Sequence, residues 1–114
     1  MKAESEATRM YYRLLCIKAN DKAYIRHTSD SLILPVLHYY TEKKDEHHLP
    51  EAYYYAGRVY RDLEDAPLAL DYFQKAIDAL PDNKGYRLKS KIYSQMGTLF
   101  LYQKTYDEAL KILK

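Results

Sequence analysis

Two groups of side chains have residue types that could bind a metal or perform catalysis. In the first group, His47 and His48 follow Asp45 and Glu46, and imidazole and carboxylate groups are common zinc ligands. No pair among them has the i, i+4 spacing that places two ligands on one helix face, and no cysteine lies close in sequence. We therefore predict that the polar segment 43–48 is a solvated loop with no metal bound.

The second group consists of Cys16, the single cysteine, with His27 or His38 as a nucleophile and base pair. Cys16 occupies a position where the repeat described below requires a small buried residue, so a packed thiol is expected. The sequence has no glycine-rich phosphate loop and no nucleophile elbow. We predict that the chain is not an enzyme, with no catalytic residues, no metal and no cofactor.

The composition indicates a folded, tyrosine-rich chain with nearly balanced charge. Of the 114 residues 47% are hydrophobic, which is enough to build a core, and 14 are Tyr. Three Gly and four Pro favour long helices over a sheet with many turns. The net charge of +2 contains no polybasic block, which disfavours binding to nucleic acid. No apolar stretch reaches the ~18–20 residues of a membrane span, so no direct membrane insertion is expected of this segment.

An internal repeat with an offset of 40 residues organises the second half of the chain. Gly57 returns as Gly97, and the residues around it return in the same size class. Tyr53, Ala56, Tyr60, Ala69, Leu70 and Phe73 correspond to Tyr93, Met96, Phe100, Ala109, Leu110 and Leu113. Repeats of this length are typical of solenoids, whose stacked units present extended binding surfaces.

Helical periodicity and capping residues predict three hairpins, and thus about six antiparallel helices in an all-α fold. In the middle hairpin Pro50 suits the first turn of one helix, while Asp65 and Pro67 open the next. The segment Pro81-Asp82-Asn83 ends that helix and turns the chain.

The two outer hairpins are less regular. The third has a first helix from about Lys84 to Tyr102, and the capping box formed by Thr105 and Glu108 opens its second helix. The N-terminal hairpin covers about residues 8–44 and has a longer connection. Pro35 falls within its second helix, over about residues 30–44, and predicts either a late start or a kink there.

The middle hairpin, residues 50–83, resembles the tetratricopeptide repeat. The residues that carry the resemblance are Tyr53, Gly57, Tyr60, Ala69, Phe73, Ala76 and Pro81, and Gly97 and Ala109 repeat part of the pattern. The resemblance implies an alpha-alpha superhelix that forms a single domain over residues 1–114. Its repeats would cover about 8–44 in degenerate form, 50–83, and 84–114 in incomplete form. Gly57 and Ala69 should lie together where the two helices cross, because only small residues permit a close approach.

A narrower resemblance concerns the segments 28–33, 38–40 and 51–70, which look like tetratricopeptide lipoproteins of Bacteroidetes. It implies the repeat region of a larger bacterial protein that is anchored to a membrane in the cell envelope. A cytoplasmic protein would show the same features, so both locations stay open.

The family resemblance also implies a binding groove, since the first helices of such hairpins line a concave surface. The carried-over groove positions are Arg13, Tyr54, Arg58, Arg61, Lys91, Gln95 and Tyr102. This groove would be basic and lined by tyrosine, and its expected partner is a protein or peptide with an acidic segment or a terminal carboxylate. A solvated helix face with weak local ion pairs is the alternative interpretation.

Protein or peptide binding by a non-enzymatic scaffold is therefore the leading functional hypothesis. A second hypothesis is self-association into a homo-oligomer through the C-terminal hairpin, whose apolar surface has no polar capping helix. A third is binding of single-stranded RNA by stacking on tyrosine, which the low net charge disfavours.

Overall fold

The computed structural model describes residues 2–81 and 85–113 and consists, over that part of the chain, of five α-helices and no strand. The helices are α1 (Lys2–Lys22), α2 (Ile33–Glu42), α3 (Leu49–Asp62), α4 (Ala66–Ala79) and α5 (Tyr86–Leu113). Each helix contacts the next one along the chain, and α1 also contacts α3. The molecule is elongated, with extents of 61 × 33 × 24 Å, and the predicted all-α solenoid class is confirmed. None of the helices described is both long and apolar enough to cross a bilayer.

The break between α3 and α4 has a clear cause in the sequence. Pro67 lies in the first turn of α4, where its ring would clash with the carbonyl of Leu63 if the helix continued. Glu64 reverses the chain with a φ of 64°, and the side chain of Asp65 accepts a hydrogen bond from the Leu68 amide at 3.2 Å. Proline and cap together therefore separate the two helices as predicted.

The connection between α1 and α2 lies against the end of α3. Pro35 is in the first turn of α2, which begins at Ile33, so the late start is the alternative that the structure shows. Arg26 donates from Nε and Nη2 to the carbonyl oxygen of Asp62 at 3.1 and 2.7 Å, which satisfies a free carbonyl at the helix end. The amide of His27 donates to the Asp62 carboxylate at 2.9 Å. The first hairpin is thereby attached to the second.

The crossing of α3 and α4 is built around Gly57. The ring of Phe73 fills the space beside this glycine, and Ala69, Phe73 and Ala76 are fully buried. The three atoms nearest to a Cβ added at Gly57 all belong to the Phe73 ring. Tyr53 is half-buried, and its ring stacks on Tyr72.

The prediction of a third hairpin with a sixth helix is wrong. Helix α5 runs for 28 residues from Tyr86 to Leu113 and passes through Thr105 without a turn. A capping box favours a helix start but does not stop a helix that is already present, and Asp107 stands where the second hairpin has Pro67. The predicted boundaries at Asp82, Asn83, Lys84 and Lys114 lie outside the described residues.

Without the sixth helix, the repeat residues of α5 are not packed like those of α3. A Cβ added to Gly97 would meet no atom within 4 Å, and Ala109 is exposed. Tyr93 and Phe100 are each 56% exposed. Within the part of the chain that the structure describes, Gly97 and Ala109 therefore do not have the packing role predicted for them.

Candidate functional site

A row of polar contacts joins α1, α3 and α5 along the predicted groove. Its centre is Arg58, which donates from Nε to Asp21 on α1 at 3.0 Å and from Nη1 to Gln95 on α5 at 3.3 Å. Lys18 on α1 pairs with Glu51 on α3 at 3.4 Å in the same row. These contacts connect α3 to α1 on one side and to α5 on the other.

Arg58 also contacts a cluster of two carboxylates and a histidine that no motif in the sequence predicted. One ligand atom each of Asp21, His27 and Asp62 lies within 4.8 Å of the other two, a set of residue types that can hold a divalent cation. The Arg58 guanidinium reaches both carboxylates, at 3.0 Å from Asp21 and 3.9 Å from Asp62, and His27 pairs with Asp21 at 3.2 Å. Because Arg58 already supplies the positive charge between the carboxylates, we assign the cluster a structural role.

Two of the predicted groove residues, Arg58 and Tyr54, are largely buried. The Arg58 side chain is 18% exposed and donates hydrogen bonds to both α1 and α5. Tyr54 is 4% exposed, and its ring packs on Tyr55 at 4.9 Å and on Phe73 at 5.8 Å between centroids. Burial, followed by the charge of Asp21, raises the pKa of Tyr54. The placement of Tyr54 on an open groove is therefore wrong, because its ring completes the core.

Arg61, Gln95 and Tyr102, three of the predicted groove positions, lie close together in the structure. The Arg61 guanidinium donates to the Gln95 amide oxygen and lies 5.9 Å from the centroid of the exposed Tyr102 ring. A guanidinium beside an aromatic face presents a cation with part of its fork of donors still available.

Two members of this trio, Arg61 and Tyr102, line a cleft of about 890 Å³. The cleft exists because α5 continues beyond the end of α3 and passes over the turn between α3 and α4. Its lining is mostly apolar and consists of Arg61, Glu64, Ala66, Pro67, Leu99, Tyr102, Gln103, Thr105, Tyr106 and Ala109. The cleft was not predicted from the sequence, because residues 105–114 were expected to form a separate helix.

The remaining predicted groove residues lie away from the cleft. Arg13 is half-buried on α1, Lys91 is exposed on α5, and neither belongs to the cleft lining. They add positive charge to the surroundings and make no contact with the trio that the structure describes.

Three of the four histidines considered for chemistry have a carboxylate beside the imidazole ring, and His47 contacts Asp45 through its backbone amide. His27 contacts Asp21, and the exposed His38 contacts Glu42 at 3.3 Å. His48 contacts Asp45 at 2.8 Å and stacks on the Tyr40 ring, so the segment before α3 is an ordered turn as well as a polar one. Cys16 is half-buried.

The family model described as Tetratricopeptide repeat matches residues 50–83. This segment contains the whole of α4 and all of α3 except its first residue. Searches of curated proteins and of solved structures gave no significant match. The repeat supports a general role as a protein-interaction scaffold, while the similarity to envelope lipoproteins is not confirmed.

Proposed function

We propose that this chain is a scaffold that binds a segment of another protein in the cleft between α5 and the turn from α3 to α4. The observation that carries the proposal is the placement of Arg61 and Tyr102 on a mostly apolar cleft of about 890 Å³, with Gln95 accepting a hydrogen bond from Arg61. A concave, mostly apolar site with a few converging polar groups is the usual form of a binding site.

The charges around the cleft favour an acidic group at one end of the guest segment. Arg61 offers a guanidinium, which binds a carboxylate through two parallel hydrogen bonds when it has free donors. Glu64 lies on the cleft lining with its side chain largely exposed, and it would repel a carboxylate placed beside it. We therefore propose a guest with an acidic side chain or a terminal carboxylate at Arg61 and apolar side chains along Leu99 and Tyr106.

The family resemblance implies that Arg58 contacts the partner directly, whereas this proposal gives Arg58 a supporting role. It shares the Gln95 amide oxygen with Arg61 and thereby fixes Gln95 against α3. We propose that Arg58 is a positioning residue for Gln95 and Arg61, while Lys91 and Arg13 contribute attraction at longer range that salt screens.

An array of short peptides, each presented with a free carboxylate and with an amidated terminus, tests this proposal. The chain should bind apolar peptides that have an acidic group, and Arg61→Glu should weaken that binding at least tenfold because it replaces attraction by repulsion. Arg87→Glu on the exposed surface of α5 is the charge-matched control and should bind as the original chain does.

Circular dichroism of both variants should match that of the original chain. Equal binding by the Arg61→Glu variant, or no preference for acidic peptides, would overturn the assignment of the cleft. If substitution of Lys91 or Arg13 abolished peptide binding while substitution of Arg61 had no effect, the binding site would lie on another part of the concave surface.

A further inference from the structure

A second cavity, of about 340 Å³, lies between α1, α2 and the turn before α3. Three tyrosines, one histidine and one carboxylate give it its chemical character: Tyr11, Tyr39, Tyr40, His48 and Asp45. We call it the tyrosine cavity, and it shares no lining residue with the cleft. Its volume is at the small end of the ~300–1,000 Å³ range that is typical of ligand sites. A cavity of this size can hold a small head group but not a whole peptide segment.

The aromatic rings of the tyrosine cavity hold one another in place. The His48 ring stacks on Tyr40 with 5.0 Å between centroids and meets Tyr11 edge to face at 5.4 Å. Tyr39 meets Tyr40 edge to face at 5.3 Å. Tyr40 is buried, whereas Tyr11 keeps 46% of its surface exposed. A guest would meet rings that are already ordered, so the entropic cost of arranging them falls on folding and not on binding.

The carboxylate of Asp45 gives the cavity its charge. Burial alone would raise the pKa of this carboxyl, but hydrogen bonds from His48 and from the His47 amide lower it below the ordinary value of 3.8. Asp45 is therefore an anion at neutral pH. No lysine or arginine is among the described residues that line the cavity. Because the faces of aromatic rings are also negative, the combination of rings and carboxylate favours a cation as the guest.

The hydrogen bonds of Asp45 decide which kind of cation fits. Its Oδ1 atom accepts from the backbone amides of His47 and His48 at 3.1 and 3.0 Å, and its Oδ2 atom accepts from Nδ1 of His48 at 2.8 Å. Most of the acceptor capacity of the carboxylate is thus used, while its charge remains. A primary ammonium group has three N–H donors, which a mostly apolar cavity would leave poorly satisfied. A quaternary ammonium group has the charge and no donor, so it loses less on leaving water.

We propose that the tyrosine cavity binds a trimethylammonium group, with Asp45 as the opposite charge and tyrosine rings in contact with the methyl groups. Small molecules of the choline type have such a group, and so does a trimethylated lysine side chain. Lys43 already lies 5.8 Å over the centroid of the Tyr39 ring, so we assign the ring contacts mainly to Tyr11 and Tyr40. Binding at this site needs no residue of the cleft.

Titration with choline tests the site, and the matched control ligand is the neutral alcohol in which carbon replaces the quaternary nitrogen. The two compounds have the same shape and differ in charge, so choline should bind about tenfold more tightly. Its methyl proton resonances should move upfield in NMR spectra, as protons over an aromatic face do. Equal binding of the two compounds, or no upfield shift of the methyl resonances, would overturn the assignment.

A pair of peptides identifies the source of the trimethylammonium group. One peptide contains a trimethylated lysine, and the other has the same sequence with an unmodified lysine. Tighter binding of the trimethylated peptide than of choline would indicate a modified protein as the natural guest, and the reverse order would indicate a small molecule. Tighter binding of the unmodified peptide than of the trimethylated one would overturn the choice of a cation without donors.

Tyr11 allows substitutions that separate the ring from its apolar area, and its exposure means that they should leave the fold intact. Tyr11→Phe keeps the ring and should bind choline as the original chain does. Tyr11→Leu should weaken binding by about threefold or more. Tyr12→Leu is the control, since Tyr12 is an exposed tyrosine of α1 that does not line the cavity. Equal binding by the Tyr11→Leu variant and the original chain would contradict the role of the ring.

Two charge substitutions should have opposite effects. Asp45→Asn should weaken choline binding by about fivefold or more, and it should leave binding of the neutral alcohol unchanged. The alcohol therefore reports that the cavity is intact in this variant. Lys43→Gln removes the cation beside Tyr39 and should strengthen choline binding. Choline binding that neither substitution changes would overturn the proposed site.

Discussion

The ring of Phe73 lies so close to Gly57 that a Cβ at residue 57 would overlap the Cε1 atom of that ring. Phe73 has no exposed surface and is surrounded by the core, so its ring has little room to move aside. A single missing methyl group therefore sets the distance between α3 and α4.

Gly57→Ala should destabilise the fold by about 1–3 kcal/mol because the added methyl overpacks this contact. Gly97→Ala is the matched control, since the same substitution meets no atom within 4 Å and should stabilise α5 by about 0.5–1 kcal/mol. Urea unfolding at low protein concentration, read from the midpoints at constant slope, measures both. Equal effects of the two substitutions would contradict the close packing at Gly57.

Removal of the Arg58 guanidinium should lower the free energy of unfolding and also remove the hydrogen bond to Gln95. Arg58→Gln leaves the carboxylates of Asp21 and Asp62 without their cation, and we expect a loss of about 1–2 kcal/mol, since these side chains keep some contact with water. A double-mutant cycle with Asp21→Asn should show a coupling of at least ~0.5 kcal/mol. Additive effects would mean that the pair seen between α1 and α3 does not contribute to stability.

Three buried tyrosines should resist ionisation at alkaline pH. Burial, and then the charge of Asp45, raises the pKa of Tyr40 to about 12, and burial with the hydrogen bond to Asp30 raises the pKa of Tyr60 to about 12. Burial raises the pKa of Tyr55 too.

Because these values are higher in the folded state than the ordinary value of about 10, the contribution to stability is complete below pH ~10. It is lost as the pH rises through about 12. Near-ultraviolet absorbance should show a late group of tyrosinates that appears together with unfolding, and Tyr60→Phe should reduce its amplitude. Ionisation of all tyrosines before any loss of helix would contradict this burial.

Asp45 should make a contribution to stability that disappears in acid. Burial alone would raise the pKa of this carboxyl, but hydrogen bonds from the His48 side chain and from the amides of His48 and His47 outweigh burial and lower it. The contribution is therefore present above the ordinary value of 3.8 and is lost as the pH falls through the lower folded value.

Asp45→Asn should therefore reduce the free energy of unfolding at neutral pH by about 1 kcal/mol and have less effect below the folded pKa. The exposed Glu46 provides the control as Glu46→Gln, which should change little at either pH. A constant effect of Asp45→Asn from neutral to acid pH would contradict the role assigned to its charge.

The sequence was sufficient where a local feature has one structural outcome. Pro67 cannot lie in the middle of a helix, so the start of α4 followed from a single residue and the cap at Asp65. The small Gly57 and the bulky Phe73 likewise predicted a close crossing of the two helices. Such features are decided by the chain within one or two turns.

Where the local sequence is compatible with two structures, the prediction was wrong. Thr105 with Glu108 is a good helix start and also an acceptable helix interior, and the structure has the interior. The candidate site depended on the same choice, since the cleft forms only when α5 is straight. The contact between Asp21 and Arg58 joins residues that lie 37 positions apart, and no periodicity in the sequence relates them.

The difference between Pro67 and Asp107 has a consequence for the shape of the chain. Pro67 stands at the start of α4, which folds back on α3, whereas Asp107 lies inside the continuous helix α5. The residue type at one exposed position therefore selects between a closed hairpin and a single extended helix.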